Sequence, residues 1–137
     1  MKTRTVDTNI LVRLLVRDDS EQWEQALRLA MNYCLIVLPT VALETEWVLR
    51  TRFKFNRDEI CSFFRPMMAS ETFDFAERKR ILRAIDCFEK GMDFADAMHL
   101  CFVDEGETFV TFDRDPAGSR NDISIPPASS WHREAIT

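Results

Sequence analysis

One unbroken apolar segment, residues 34–38, constrains the fold of this chain more than any other feature. It reads Cys-Leu-Ile-Val-Leu, favours a strand, and stops at Pro39. A strand without alternating polar residues is buried on both faces, as the strands of parallel sheets are. Helical patterns stand on both sides of the segment, so the sequence predicts an α/β fold with a mainly parallel sheet.

The length of 137 residues predicts a single domain that spans residues 1–137. Gly (3) and Pro (5) are scarce, which favours long regular elements over loops. The net charge is −5, so binding of nucleic acid would need a local basic patch or metal ions at carboxylates. We expect a cytoplasmic protein with buried free cysteines, because the sequence has no membrane-spanning run, no secretory signal and no Cys-x-x-Cys motif.

The sequence predicts a short buried helix at residues 10–16 and five helices after it. Each of these five follows a residue that can cap its amino terminus. In chain order the caps are Asp19 or Ser20 (helix to about residue 31), Thr40 (helix 41–53), Asn56 in Asn56-x-x-Glu59, Asp74 in Asp74-x-x-Glu77, and Asp93 (helix 94–104). We expect Pro66 to end the third of these helices and Gly91 the fourth. Further strands are predicted at residues 4–6, 108–112 and 123–125.

Four acidic residues stand at the ends of predicted elements or in apolar surroundings. Asp7 and Asp113 each follow a strand, Asp96 lies in the first turn of an apolar helix, and Glu44 lies on an apolar helix flank. In a parallel sheet, ligands bind beyond the carboxyl ends of the strands. A pocket of carboxylates repels itself without a cation, and oxygen ligands favour Mg²⁺ or Mn²⁺. The natural substrate of such a site is a phosphodiester.

Each acid also has an ordinary structural explanation. Asp7 could cap the helix that follows it, and Asp96 could be the reciprocal partner of Asp93 in a helix cap. Glu44 could be a surface or salt-bridged residue, and Asp113 could begin a turn. The convergence of four such acids in one small domain favours a shared site over four separate explanations.

Four segments carry this pattern in a fixed order. They are Val6-Asp7-Thr8-Asn9-Ile10-Leu11-Val12, Leu43-Glu44-Thr45-Glu46-Trp47-Val48-Leu49, Asp93-Phe94-Ala95-Asp96-Ala97-Met98-His99-Leu100 and Val110-Thr111-Phe112-Asp113-Arg114-Asp115. In order, spacing and chain length they resemble the PIN-domain ribonucleases, above all the VapC-type toxins of bacterial toxin–antitoxin pairs. The resemblance implies one α/β/α sandwich with about five strands in a mainly parallel sheet. It also implies Mg²⁺- or Mn²⁺-dependent endonucleolytic cleavage of RNA.

The resemblance assigns roles to individual residues. The implied catalytic acids and metal ligands are Asp7, Glu44, Asp96 and Asp113. The implied supporting residues are Asn9, Thr111, Asp93 and Asp115. Glu46 is the rival of Glu44, and we favour Glu44 because Arg50, four residues after Glu46, offers Glu46 a surface ion pair.

Partners are expected from both the residues and the resemblance. A basic stretch interleaved with Phe53 and Phe55 is a candidate contact for RNA phosphates and bases, although it could equally be a solvated helix end. The candidate RNA-binding residues are Arg50, Arg52, Lys54 and Arg114. Trp23 and Trp47 are expected in the core or in an interface, and the apolar helices suit a homodimer. A small antitoxin protein is implied by the resemblance alone.

Two other functions compete with an endoribonuclease. The first is a PIN-like module that binds RNA or protein without cutting, but its site would be degraded, whereas all four acids are present here. The second is a phosphatase for small phosphoesters. That reading lacks the aspartate two residues after Asp7 that an aspartyl-phosphate mechanism would use as an acid and base.

Overall fold

The computed structural model describes residues 2–110 and the backbone of residues 122–124. Strands and helices alternate along these residues, as the α/β prediction requires. The chain divides into two compact units, residues 1–78 and residues 79–137. Within the described residues, no helix combines the length and the apolar character that crossing a bilayer demands.

A three-stranded parallel sheet forms the centre of the first unit. Its strands are β1 (Thr3–Thr5), β2 (Cys34–Val37) and β3 (Phe73–Phe75), in the order β1-β2-β3. Thr5 pairs with Ile36, and Ile36 pairs in turn with Asp74. The apolar segment is a strand of a parallel sheet, as predicted, and it lies between the other two strands. Leu35 and Val37 on one face are fully buried, but Cys34 and Ile36 on the other face are only half-buried, so the prediction of burial on both faces is confirmed in part.

Two helices connect each pair of consecutive strands: α1 (Thr8–Leu15) and α2 (Ser20–Asn32) between β1 and β2, and α3 (Pro39–Thr51) and α4 (Arg57–Ala69) between β2 and β3. Two of the predicted caps are confirmed. Asp19 caps α2 by accepting the N–H of Gln22 at 3.1 Å. Asn56 and Glu59 form both halves of the capping box that opens α4.

Two residues predicted to set helix boundaries, Thr40 and Pro66, do not do so. Thr40 does not cap α3, which begins one residue earlier at Pro39, where a residue without an N–H suits the first helical position. Pro66 does not end α4, which continues to Ala69. Met67 and Met68 are buried beyond it, and their burial offsets the single hydrogen bond that proline cannot donate.

β3 lies where the sequence predicted a capping box. Asp74 is exposed in the middle of this strand, between half-buried Phe73 and buried Phe75. The helix expected after Asp74 is α5 (Arg78–Glu89), and it begins only after Glu77, whose φ is 57°. The alternation of aromatic and polar residues here reflects a strand with a buried face, and the capping interpretation is wrong.

The second unit contains most of α5, then α6 (Phe94–Cys101), β4 (Thr108–Val110) and β5 (Asp122–Ser124). Asp93 caps α6, as predicted, and Gly91 follows α5 at a φ of 117°. The N–H groups of Gly91 and Met92 donate to the carbonyls of Phe88 and Cys87, which is the pattern that closes a helix on a left-handed glycine. α6 ends at Cys101, three residues short of the prediction.

The parallel sheet is smaller than the resemblance implied. Among the described strands, three form the parallel sheet and two form a separate antiparallel pair. Val110 of β4 pairs with Asp122 of β5. Strands this close in sequence can pair antiparallel, whereas a parallel neighbour needs a crossover of about a dozen residues or more. The expectation of about five strands in one sheet is therefore wrong for the described part of the chain.

Candidate functional site

Asp7 lies in the short connection between β1 and α1, directly before the first residue of α1. The N–H of Val6 still donates to the carbonyl of Ile36 at 3.1 Å, so Asp7 follows directly on the sheet ladder. Its Oδ1 accepts the N–H of Ile10 at 3.1 Å, which confirms the capping interpretation. The cap occupies one oxygen only, and within the described residues no donor reaches Oδ2 of this exposed carboxylate. Asp7 can therefore cap α1 and still offer an oxygen to a ligand.

Glu44 approaches the same place from α3. Because α3 begins directly after β2, Glu44 stands in its second turn near the carboxyl edge of the sheet. The hydroxyl of Thr8, a buried residue of α1, donates a hydrogen bond to Oε1 of Glu44. This bond ties the Glu44 carboxylate to the residue that follows Asp7.

A cavity of about 290 Å³ joins these two acids. Its lining consists of Asp7, Thr8, Asn9, Glu44, Trp47, Val48 and Arg52. Two carboxylates and the Asn9 amide supply hard oxygen donors, while Arg52 supplies a positive charge.

The oxygen donors of this cavity suit a divalent cation. Proteins bind Mg²⁺ through one or two carboxylates together with water and substrate phosphates, so Asp7 and Glu44 fit that ion. In residues 2–110, no group of three or more His, Cys, Asp or Glu side chains is gathered that could hold a metal. The side chains that fit a divalent cation are therefore the two carboxylates of the first unit, Asp7 and Glu44.

Glu46 is placed differently from its rival. Two residues further along α3, it projects from nearly the opposite side of the helix, about 160° away from Glu44, and only 2% of it is exposed. Its Oε2 accepts from Nε of Arg50 at 2.8 Å. The ion pair was predicted correctly, but its predicted surface location is wrong, because the carboxylate of Glu46 is in the protein interior. Glu46 does not line the cavity.

Comparison with known proteins bears on the same residues. The PIN domain family matches residues 5–118 of the chain, a segment that contains the first and last of the four predicted acids. The chain belongs to the PIN domain family. PIN domains are generally metal-dependent nucleases, and PIN-domain nucleases bind RNA. Comparisons with curated proteins and with solved structures found no match.

The remaining predicted site residues of the PIN domain belong to its second unit. Asp96 is half-buried in the first turn of α6, and its N–H donates to Oδ2 of the exposed cap residue Asp93 at 3.2 Å. His99, one turn later, is exposed and stacks on Phe109, with 6.1 Å between ring centroids. Four predicted residues lie outside the described part of the chain: Thr111, Asp113, Arg114 and Asp115.

The basic stretch of the PIN domain is divided among different environments. Arg50 pairs with the buried glutamate of α3, whereas Arg52 lines the acidic cavity. Lys54 is exposed in the loop after α3 with a φ of 60°. Phe53 and Phe55 are half-buried and stack on each other, with 6.3 Å between ring centroids. Arg52 is therefore the member of this stretch that the structure brings to the acids.

The sequence analysis did not predict three of the residues that line the cavity, namely Thr8, Trp47 and Val48. Trp47 was expected in the core or in an interface. The core alternative is wrong, because 53% of Trp47 is exposed and it lines the cavity, whereas the interface alternative stays a prediction. The signal available in the sequence was its spacing, because a residue three positions after Glu44 lies on the same face of a helix.

Proposed function

We propose that this PIN domain is a Mg²⁺- or Mn²⁺-dependent endoribonuclease. The observation that carries the proposal is that Asp7, which caps α1, and Glu44 of α3 line one cavity together with Asn9 and Arg52. Two neighbouring carboxylates favour a bound cation because the cation offsets their repulsion. A guanidinium beside them favours a phosphate, whose oxygens it binds in a fixed geometry.

The side chains of the cavity would have different roles in hydrolysis. Asp7 and Glu44 would hold the metal ion, which supplies Lewis-acid polarisation and makes a water more acidic. Thr8 donates a hydrogen bond to Oε1 of Glu44, which leaves Oε2 to hold the metal ion or a water bound to it. Arg52 would bind a phosphate oxygen and stabilise the charge that develops there.

The second unit contributes to the proposal through the family resemblance. On that basis we assign Asp96 and Asp113 as the other two catalytic acids and metal ligands. The proposed supporting residues are Asn9, Asp93, Thr111 and Asp115. Because the family match spans residues 5–118, we propose that both units belong to one nuclease domain.

We further infer that the enzyme is the toxin of a toxin–antitoxin pair and acts in the cytoplasm. This inference rests on the VapC-like order of the four motifs, which also implies a small antitoxin and a homodimer. A short neighbouring reading frame for a DNA-binding protein would support the inference, and an isolated gene would count against it.

The test of nuclease function compares Asp7→Asn with Asp19→Asn. Both aspartates cap a helix by accepting a backbone N–H at 3.1 Å, and asparagine caps about as well as aspartate, so both variants should keep the fold. The purified, partner-free chain is incubated with a mixed RNA panel in Mg²⁺, in Mn²⁺ and in EDTA. We expect metal-dependent cleavage by the wild type and by Asp19→Asn, and none by Asp7→Asn.

Three results would contradict this assignment in different ways. Full activity of Asp7→Asn would remove Asp7 from the catalytic site. RNA binding without cleavage by the wild type, with or without Mn²⁺, would favour the non-catalytic module. Faster turnover of a chromogenic phosphomonoester than of any RNA would favour the phosphatase.

A further inference from the structure

We propose that Cys87 and Cys101 form a redox-active thiol pair in the second unit, which a hydroperoxide converts into a disulfide between α5 and α6. The chain has 4 cysteines, all of them free thiols, and these two share a hydrogen bond. The pair stands apart from the residues that line the acidic cavity, so the proposal does not depend on the proposed nuclease function.

The packing of α6 against α5 is the first observation. Near the turn at Gly91, the rings of Phe88 and Phe94 meet edge to face, with 5.4 Å between their centroids. Far from the turn, Nη1 of Arg80 donates to the carbonyl oxygen of Cys101 at 3.3 Å. The start of α5 therefore lies beside the end of α6, and the end of α5 lies beside the start of α6, so α6 runs back along α5.

The direction of helical side chains then explains why the two sulfur atoms meet. Side chains tilt towards the amino terminus of their helix, so the Cys101 side chain tilts back along α6, towards the end of α5. Cys87 lies there, about two turns after Arg80 on the same face of α5. The Cys101 thiol donates its hydrogen bond to the sulfur of Cys87.

The two thiols differ in accessibility and in reactivity. Cys87 is half-buried, so a small oxidant can reach its sulfur, whereas only 3% of Cys101 is exposed. Reactive cysteines are partly exposed thiols whose thiolate form is stabilised by neighbouring groups. The hydrogen bond from Cys101 lowers the pKa of Cys87 to about 7, which makes Cys87 the first thiol to react.

The reaction takes two steps and consumes one peroxide molecule. The Cys87 thiolate attacks a peroxide oxygen, the O–O bond breaks, and a sulfenic acid forms while the released hydroxide takes up a proton to give water. The Cys101 sulfur then attacks the Cys87 sulfur, the S–O bond breaks, and the thiol proton leaves with the hydroxide as a second water. The two sulfurs lose two electrons in total, and the peroxide gains them.

A metal ion is the competing ligand for a pair of thiols. Structural zinc takes four protein ligands. Within residues 2–110, no third His, Cys, Asp or Glu joins Cys87 and Cys101 in a group that could hold a metal. Disulfide formation needs the two sulfurs alone, so oxidation suits this pair better than metal binding.

Peptide mapping of the reduced wild-type chain tests the proposal. The chain is treated with hydrogen peroxide at pH 7, its remaining thiols are blocked with N-ethylmaleimide, and it is digested with trypsin without reductant. Trypsin places each cysteine in a separate peptide, with Cys87 in residues 84–90 and Cys101 in residues 91–114. We expect these two peptides to be joined, two of the four thiols to be lost, and dithiothreitol to separate the peptides again.

Three variants assign the steps to individual sulfurs. Cys87→Ser should abolish the cross-link. Cys34→Ser removes a half-buried thiol of the first unit, whose sulfur contacts the Glu71 carbonyl, and should form the cross-link as the wild type does. Cys101→Ala should leave a sulfenic acid at Cys87 that dimedone traps. The wild-type map is decisive by itself if the variant at the buried Cys101 does not fold.

Several results would overturn the pair. A Cys87 sulfenic acid that persists in the wild type without a cross-link would show that Cys101 does not resolve it. Equal yields of disulfides to Cys34 or Cys61 would show that the two sulfurs are not preferred partners. A disulfide between two copies of the chain in place of the internal one would also contradict the proposal. Because none of these measurements involves RNA, the nuclease assignment and the thiol pair can fail independently.

Discussion

Among single residues, Thr8 is one whose substitution should lower the rate of RNA cleavage without unfolding the chain, because its hydroxyl orients the Glu44 carboxylate. Valine has nearly the same shape as threonine but lacks the donor, so Thr8→Val should keep the fold at this buried position. Loss of a residue that orients a metal ligand lowers activity by about 10–100-fold, and we expect a loss of that size in the rate of RNA cleavage. Thr8→Ser keeps a hydroxyl and should retain most of the rate. An unchanged rate in Thr8→Val would show that Glu44 does not depend on this bond.

Cys87 is the second residue with a measurable property of its own. The pKa of Cys87 is lowered to about 7, chiefly because the buried thiol of Cys101 donates a hydrogen bond to its sulfur. The charges of Arg83 and Lys90 also lower this pKa, whereas burial and the charge of Asp86 raise it. The same hydrogen bond, together with burial, raises the pKa of Cys101. Only the thiolate reacts with iodoacetamide, so we expect the alkylation rate of half-buried Cys87 to rise as the pH passes through about 7.

The control for Cys87 is Cys101→Ala, which removes the donor that stabilises the thiolate. In this variant the midpoint of the rate profile should move upward towards the ordinary value for a thiol. Peptide mass spectrometry after brief alkylation identifies the modified site. A midpoint that stays at about 7 in Cys101→Ala would contradict the hydrogen bond as the main cause.

Among the secondary-structure elements, α3 has two faces with different roles. One face presents Glu44 to the cavity, and the other carries Glu46 into the interior, where Arg50 pairs with it at 2.8 Å. Arg50→Met leaves the buried carboxylate without this partner, and we expect the free energy of unfolding to fall by about 2 kcal/mol. The double variant Glu46→Gln with Arg50→Met should recover part of the loss. Urea unfolding measures both, and an unchanged midpoint for Arg50→Met would contradict the assigned role of the pair.

How much of the fold the sequence predicted depends on how local each interaction is. A helix cap involves residues within one turn, so Asp19 and the box at Asn56 were predicted from spacing alone. β3 was missed because its burial arises from pairing with β2, about 40 residues earlier in the chain. The sequence around Asp74 is compatible with a helix cap and with a strand, and the pairing with β2 is what distinguishes the two.

The candidate site shows the same division between local and distant interactions. Asp7 could be located because it directly follows a predicted strand, and Glu44 because its apolar neighbours made a carboxylate conspicuous. The burial of Glu46 and the exposure of Trp47 could not be predicted, because both depend on which face of α3 meets the rest of the first unit. Helical spacing relates side chains to one another but does not say which of them face water.

For the whole molecule, charge connects the cavity to stability. The chain carries a net charge of −5, and Asp7 and Glu44 add repulsion within one cavity. A cation that binds only the folded state stabilises it by about 2.7 kcal/mol when its concentration is 100 times its Kd. We therefore expect Mg²⁺ or Mn²⁺ to raise the midpoint of thermal unfolding and EDTA to reverse the rise.

The variants decide whether this stabilisation comes from the cavity or from general screening of the negative chain. Screening acts on all exposed acids, so it should respond to Na⁺ at matched ionic strength and persist in every variant. Binding in the cavity should disappear in Asp7→Asn with Glu44→Gln and survive in Asp19→Asn, which also removes one exposed acid from a helix cap. An equal rise in all three proteins would mean that the cation acts elsewhere. A rise lost only with the cavity acids would identify Asp7 and Glu44 as its ligands without any reference to catalysis.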